Sequence, residues 1–308
     1  MDFFSLLSLG QTALELGLIC SLTVLSLYVS YSMLNVCDLS TDGCFTLGSV
    51  VGAVLVVAGF PMLSIPCAML AGVCSGFVTA FLQTRMGIDS LLSGIIVNTG
   101  LYSVNIAIMS GSSIVNMNKS DTVFTMVRDL LSGTVLAGQY KLLVILAAVA
   151  LSVTAITLFL NTRLGLSIRA TGSNPDMVRS SSINPIFTTT VGLCVSNAFT
   201  GLSGCLLAQY QRNAEINIGS GMLTVALASL LIGRTLVPKG SILRRAIGVV
   251  IGAFVFRLIY AVALRLNMPA FMLKLVSSLI VVAAISLPYL KKQFAIWQRS
   301  RQKEETVC

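Results

Sequence analysis

Residues 141–160 read KLLVILAAVALSVTAITLFL, a run in which Lys141 is the single charged residue. A helix of about 20 apolar residues can cross the roughly 30 Å of hydrocarbon in a bilayer. Comparable windows lie at 11–33, 61–84, 88–110, 186–209, 217–233, 246–266 and 270–290. A weaker segment, 44–60, contains Gly48, Gly52 and Gly59 and is predicted to be a short or broken helix lining a polar cavity. The sequence therefore predicts an all-α, polytopic integral membrane bundle of about nine transmembrane helices, with eight or ten as the alternatives.

The composition of the chain supports this fold class. Of 308 residues, 56% are hydrophobic and only 10% are charged, and the mean hydropathy is +0.92. A soluble protein is about a quarter charged, so this chain is neither a cytosolic nor a secreted domain. The net charge of +9 fits the cytoplasmic Lys and Arg of a membrane protein better than a nucleic-acid surface. We therefore expect membrane lipid around the chain and no nucleic-acid partner.

Catalytic chemistry has little support in the sequence. Histidine is absent, which removes the commonest general base and the commonest transition-metal ligand. The eight cysteines show no C-x-x-C spacing, and neither a nucleophile elbow nor a phosphate loop occurs. Asp38 and Asp42 are predicted to form a turn near the cytoplasmic face, with catalysis as the less favoured alternative. We expect no catalytic residue, no metal site and no cofactor bound by this chain.

The distribution of basic residues predicts the orientation. No Lys or Arg precedes Arg85, whereas most of the others lie in 161–184, 234–245 and the tail 291–308. Because Lys and Arg accumulate on the cytoplasmic side, the N-terminus is predicted outside and the C-terminus inside. Residues 1–290 then form one transmembrane domain, followed by a basic cytoplasmic tail, 291–308. The outer loop 111–140 has an amphipathic core, 123–131, and is either a solvated connection or a docking surface for an extracytoplasmic partner.

Residues 161–184, NTRLGLSIRATGSNPDMVRSSSIN, directly follow the opening stretch and are predicted to be cytoplasmic. Gly165 and Gly172 are expected to break this segment. Asn174 is expected to cap a short helix that starts at Pro175 and ends near Ser182. Such a helix, held between two spans, can transmit a partner's motion into the bundle, although an ordinary loop is the alternative.

Polar residues inside predicted spans mark either a cavity or a hydrogen-bonded seam between helices. Asn98, Tyr102 and Asn105 share one helix face at their spacing, and Thr99 is adjacent. Arg257 lies in mid-span, so it is either paired internally or faces a cavity. The candidate translocation path consists of Asn98, Thr99, Tyr102, Asn105, Ser196, Asn197 and Arg257.

Several motifs resemble those of a known transporter family. T-x-x-G-x-x-x-R-A-x-G-x-N at 162–174, followed by MVR at 177–179, resembles the cytoplasmic coupling segment of ABC-importer permeases for branched-chain amino acids, ribose-type sugars and nucleosides. DLSTDGCFTLG at 38–48 and T-x-L-Y-S-x-N at 99–105 resemble the tryptophan/tyrosine-type branch of that family. The similarity covers roughly residues 15–290. The chain departs from the family at Arg234, where an acidic residue is usual, which bears on how an ATPase would dock.

The resemblance implies a permease subunit, not an enzyme, in the inner (cytoplasmic) membrane. It implies inward movement of a small polar solute, with an aromatic amino acid favoured, by alternating access. The implied partners are a second permease copy, ABC ATPase subunits that bind the ATP, and an extracytoplasmic solute-binding protein. The implied ATPase-facing residues are Arg163, Arg169, Asn174, Met177, Val178 and Arg179. Alternatives are a stand-alone channel or secondary transporter, or a non-transporting membrane paralogue; a secondary transporter usually has intramembrane carboxylates, and the predicted spans offer only Glu15.

Overall fold

The computed structural model describes residues 3–130, 138–238 and 240–265, together with 275, 277–283 and 286. Most of the last predicted span, 270–290, lies outside the described residues. The same holds for the predicted tail 291–308, Lys239 and residues 131–137 of the outer loop.

The described ranges fold almost entirely into helices. In chain order the elements are α1 (Phe3–Leu27), α2 (Thr41–Val57), α3 (Pro61–Thr84), α4 (Ser90–Ile108), β1 (Ile114–Asn116), α5 (Val123–Leu130), α6 (Tyr140–Asn161), α7 (Arg163–Ser173), α8 (Pro175–Ser180), α9 (Pro185–Gln211), β2 (Asn213–Glu215), α10 (Met222–Leu236) and α11 (Ile242–Arg265). A π-helical turn, Tyr28–Met33, continues α1.

The all-α, polytopic prediction is confirmed. Six helical segments in the described ranges are long and apolar enough to cross a membrane: Gly10–Met33, Pro61–Thr84, Ser90–Ile108, Tyr140–Asn161, Pro185–Gln211 and Ile242–Ala263. Two apolar helices are shorter: α2 has 17 residues and α10 has 15. The count of nine and the orientation stay predictions.

Several predicted helix breaks and one predicted helix start need correction, and each of them involves glycine. α2 is short, as predicted, but Gly48 and Gly52 do not break it. α7 likewise runs through Gly165 and Gly172, because there the missing side chains let the helix contact neighbouring backbone. Gly221 adopts a φ of 88°, so α10 begins at Met222 and not near residue 217.

Helix α9 forms the centre of the bundle and packs mainly against α1, α2 and α3. Small residues permit these close approaches. A Cβ at Gly48 of α2 would overlap the backbone of Gly201 on α9, and one at Gly72 of α3 would overlap the carbonyl of Asn197. The hydrophobic effect contributes little to helix association within lipid. Close backbone-to-backbone packing therefore stabilises membrane bundles.

The turn that precedes α2 lies at half the height of the bundle, not near the cytoplasmic face as predicted. Asn197, near the middle of the 27-residue α9, donates from Nδ2 to Asp38 Oδ2 over 2.7 Å. The local turn chemistry is nevertheless as predicted, since Asp38 Oδ1 accepts from the backbone N–H of Ser40 at 2.8 Å. Non-helical backbone at this depth is tolerated because protein surrounds it.

The stretch 111–130 is folded against the bundle. β1 pairs antiparallel with β2, with Ile114 opposite Glu215, a pairing that the sequence analysis did not predict. The described part of the amphipathic core, 123–130, forms the helix α5. It is anchored to α9 by a hydrogen bond of 3.0 Å from the N–H of Val123 to Gln209 Oε1.

Candidate functional site

A polar groove of about 400 Å³ lies between α4, the start of α2 and the segment before α10. Polar side chains of α4 form one wall, and residues of the other two elements form the rest. The polar lining residues are Asp42, Thr46, Asn98, Thr99, Tyr102, Ser103, Asn105, Asn217 and Ser220. The structure therefore brings together four of the predicted path residues: Asn98, Thr99, Tyr102 and Asn105.

The α4 wall of the groove faces outward from the bundle. Tyr102 is 50% exposed, and Thr99 and Ser103 are also exposed. Only Asn105 is fully buried, and its Nδ2 donates to the Gly43 carbonyl over 3.4 Å. These residues lie in the middle and second half of a 19-residue apolar helix. A polar stripe at this depth is unsuited to contact with lipid tails.

Asp42 joins α2 to α10 at the edge of the groove. Its Oδ2 accepts from the backbone N–H of Gly221 at 3.0 Å, and its Oδ1 accepts from that of Leu223 at 2.7 Å. Gly221 has no side chain to cap α10, so the carboxylate of another helix supplies the cap. The positive end of the helix dipole favours an anionic partner here.

Ser196 and Asn197 lie in buried seams between helices and do not line the groove. Ser196 Oγ contacts Ser26 Oγ at 2.9 Å, and Thr200 Oγ1 lies 2.7 Å from the same Ser26 hydroxyl. Asn197 binds Asp38, as described above. The structure thus places both residues in the hydrogen-bonded seam that the sequence analysis kept as an alternative.

Arg257 lies in α11 and lines a second cavity of about 600 Å³. Its Nη2 donates to Cys20 Sγ at 2.8 Å, and its guanidinium lies 5.7 Å from the centre of the Tyr260 ring. No carboxylate among the described residues forms an ion pair with it. Both sequence alternatives therefore apply, since Arg257 has an internal partner and also faces a cavity. The two cavities share Ser220.

The predicted coupling segment, 161–184, forms α7 and α8. Asn174 caps α8 as predicted, because its Oδ1 accepts from the N–H groups of Asp176 and Met177 at 3.1 Å. Pro175 is the first helical residue, and α8 ends at Ser180. α7 is fixed to the bundle by the Thr171–Thr188 hydroxyl contact of 2.8 Å and by Gly172 against the backbone of the π-helical turn.

The outer surface of this segment carries most of the predicted ATPase-facing residues. Arg163, Asn174 and Arg179 are exposed, and the apolar Met177 is 66% exposed. Arg169 is half-buried and forms no ion pair within the described residues, so the pairing with Asp176 is absent. Val178 needs correction: it is only 3% exposed, so its side chain is buried within the chain and does not belong to the outer surface of α8.

Metal ligands are not clustered in the described ranges, where no three His, Cys, Asp or Glu side chains come together. The groups that the groove presents are amides, hydroxyls, one phenol and one carboxylate. Such groups bind and orient a small polar solute, and they include no paired nucleophile and base.

Comparison with known proteins places the chain among transport permeases. Residues 11–285 match the family described as branched-chain amino acid transport system / permease component. The chain is 32% identical over 271 residues to a tyrosine transport system permease protein of Clostridioides difficile (strain R20291), covering 88% of each chain. It is 29% identical over 280 residues to an uncharacterized protein of Rickettsia prowazekii (strain Madrid E), covering 89% of this chain and 96% of that one.

A third relative is an import permease protein named for a sugar. The chain is 26% identical over 309 residues to a galactose/methyl galactoside import permease protein of Escherichia coli (strain K12), covering 94% of this chain and 88% of that one. No solved structure matches the chain significantly. The family and relatives agree with the resemblance inferred from the motifs at 38–48 and 162–174.

Proposed function

Because the chain belongs to the family of branched-chain amino acid transport system permease components, we propose that it forms the transmembrane path of an ABC importer in the cytoplasmic membrane. The proposed substrate is an amino acid, with tyrosine the first to test, since a relative is a tyrosine transport system permease. The observation that carries the proposal is the polar groove on the outward face of α4.

The groove requires a cover that a single copy does not supply. Asn98 and Ser103 would otherwise meet lipid tails, and each polar group left without a partner in hydrocarbon costs several kcal/mol. A second copy of the chain, applied to the same face, would enclose the two grooves as one water-accessible path. The second copy would present the same polar residues of α4, because a two-fold interface brings together identical patches.

The groove chemistry suits an amino acid. Asn98 and Asn217 offer both donors and acceptors, and the exposed Tyr102 ring offers a surface for stacking an aromatic side chain. Asp42 contributes negative potential, although both of its oxygens already accept hydrogen bonds from α10. On the outer side, β1, β2 and α5 form the proposed docking surface for a solute-binding protein.

ATP-driven coupling is favoured over ion-coupled transport. Asp38 and Asp42 lie within the bundle, which the sequence analysis did not predict, and such carboxylates are typical of secondary transporters. However, Asp38 is held by Ser40 and Asn197, and Asp42 caps α10, so both have structural roles. By contrast, α7 and α8 present an exposed surface, and Asn174 caps α8. Behind this surface, α7 contacts both the π-helical turn and α9. A partner ATPase pressing on α8 would move those two elements together.

The proposed dimer predicts proximity between the α4 helices of two copies. In a Cys74→Ser background, which removes an exposed native thiol, Thr99→Cys is expected to give mostly dimer with a bifunctional maleimide. Leu151→Cys is the matched control, since Leu151 is 73% exposed on α6, away from the groove. SDS gels of treated membranes measure the outcome. Equal cross-linking at both positions would contradict the proposed interface.

The proposed function predicts that an ABC ATPase co-purifies with the chain in mild detergent and that the complex drives tyrosine uptake in proteoliposomes. Arg169→Ala combined with Asn174→Ala should abolish ATP-driven uptake and stimulated ATP hydrolysis, because the cap of α8 contributes about 1 kcal/mol and orders its docking surface. Asn174→Asp, which can still cap the helix, should retain uptake. ATP-independent uptake by the chain alone would refute the proposal in favour of a channel or secondary transporter.

A further inference from the structure

A pocket of about 300 Å³ lies where the end of α1, the end of α10 and the start of α11 meet. It is at the same end of the bundle as α7 and α8. Its polar lining consists of Tyr28, Ser32, Arg234 and Arg245, and none of these residues lines the polar groove.

The floor of the pocket has two hydroxyl groups without partners. Tyr28 is 1% exposed, and within the described ranges neither its hydroxyl nor the buried Ser32 Oγ has a hydrogen-bond partner. Both residues belong to the π-helical turn, an irregularity that is common at functional sites. Since buried hydroxyls nearly always find a partner, these two groups indicate a missing acceptor.

The mouth of the pocket carries two arginines without counter-ions. Arg234 and Arg245 are exposed, and neither forms an ion pair with any residue that the structure describes. Two positive charges at the mouth of one small pocket repel each other, so an anion in the pocket would relieve this repulsion while pairing with both guanidinium groups.

We propose that this pocket binds a phosphate group, supplied by a phospholipid headgroup or by free phosphate. Phosphate oxygens accept from the planar guanidinium of Arg234 and Arg245 at the mouth and from the hydroxyls of Tyr28 and Ser32 at the floor. The bound group would tie α10 and α11 to the end of α1, beside the segment that would receive an ATPase. Arg234, which departs from the acidic residue usual in the family, thereby gains a specific role.

The melting temperature of the purified permease in neutral detergent tests the site. Sodium phosphate should raise it by several degrees relative to sodium chloride at equal ionic strength, because a ligand bound only to the folded state stabilises that state. Phosphatidic acid and diacylglycerol form the second comparison. A rise with phosphatidic acid alone assigns the site to a lipid headgroup, and a rise with both phosphate and phosphatidic acid assigns it to the phosphate group itself.

Arg245→Gln and Arg244→Gln are matched variants for this experiment. They remove equal charge from adjacent exposed positions of α11, but only Arg245 lines the pocket. Arg245→Gln should weaken the apparent phosphate affinity about tenfold or more, whereas Arg244→Gln should not. Equal losses in both variants, or no response of the unmodified chain to either phosphate source, would overturn the proposal.

Tyr28→Phe separates ligand binding from folding. Without phosphate this variant should melt at or above the temperature of the unmodified chain, since it removes a buried hydroxyl that has no partner. With phosphate it should show a smaller rise. A full phosphate response in Tyr28→Phe would overturn the proposed role of the pocket floor.

Discussion

Asp42→Asn is expected to lower the melting temperature of the permease strongly and to reduce uptake at least tenfold. The carboxylate accepts from two backbone N–H groups at the start of α10. An asparagine offers one carbonyl oxygen and places an NH₂ group against the other N–H. A hydrogen bond to a charged group contributes about 1.5–3 kcal/mol, and the favourable interaction with the helix dipole is lost as well.

Asp89→Asn is the matched control for this variant. Asp89 Oδ1 also accepts from a backbone N–H at a helix start, that of Leu91 at 2.9 Å, but it is exposed and lies outside the groove. Asparagine is as good an exposed cap as aspartate, so stability and uptake should be nearly unchanged. Fluorescence-detected size exclusion after heating measures both variants. If Asp42→Asn melted like Asp89→Asn, the link between α2 and α10 would contribute nothing.

Gly48→Ala is expected to remove most of the folded protein from the membrane. The added methyl group would overlap the carbonyl and Cα of Gly201, and both of these belong to the backbone of the central helix. Overpacking costs about 1–3 kcal/mol where side chains can yield, and more is expected here because α2 and α9 would have to separate. The gain in helix propensity, at most about 1 kcal/mol, does not compensate.

Gly100→Ala separates this packing effect from propensity. Gly100 lies within α4, and a Cβ there would have no neighbour within 4 Å. This variant should therefore melt at or slightly above the temperature of the unmodified chain. The yield of monodisperse protein after membrane extraction reports both outcomes. A normal yield of Gly48→Ala would show that α2 and α9 lie farther apart than the structure places them.

Features determined by neighbouring residues were predictable from the sequence. Asn174 followed by Pro175 specifies a helix start through local hydrogen bonds and the fixed φ of proline, and the structure has that start. The apolar windows likewise predicted the long spans, because bilayer thickness fixes the length of a crossing helix. Asn98, Tyr102 and Asn105 could be assigned to one face from helical periodicity alone.

Features determined by distant residues were not predictable. The depth of Asp38 and Asp42 depends on Asn197 and Gly221, and nothing in the 38–48 stretch indicates that those partners exist. The burial of Val178 depends on which side of α8 packs against the bundle. A helix of six residues is too short for its apolar periodicity to predict that side. Gly165 and Gly172 suggested breaks because glycine weakens isolated helices, whereas tertiary contacts of their bare backbone keep α7 intact.

The contact between Asp42 and α10 also constrains the order of events during biosynthesis. Asp42 and Gly221 are 179 residues apart, so at ordinary translation rates the cap must wait roughly 10 to 40 s after Asp42 leaves the ribosome. For most of that interval α2, which is short and contains three glycines, is without its packing partner α9, which begins only at Pro185. The packing of α2 is therefore completed only by helices made much later. We therefore expect chains that stall before α10 to leave Asp42 without the two N–H donors that it binds in the folded protein.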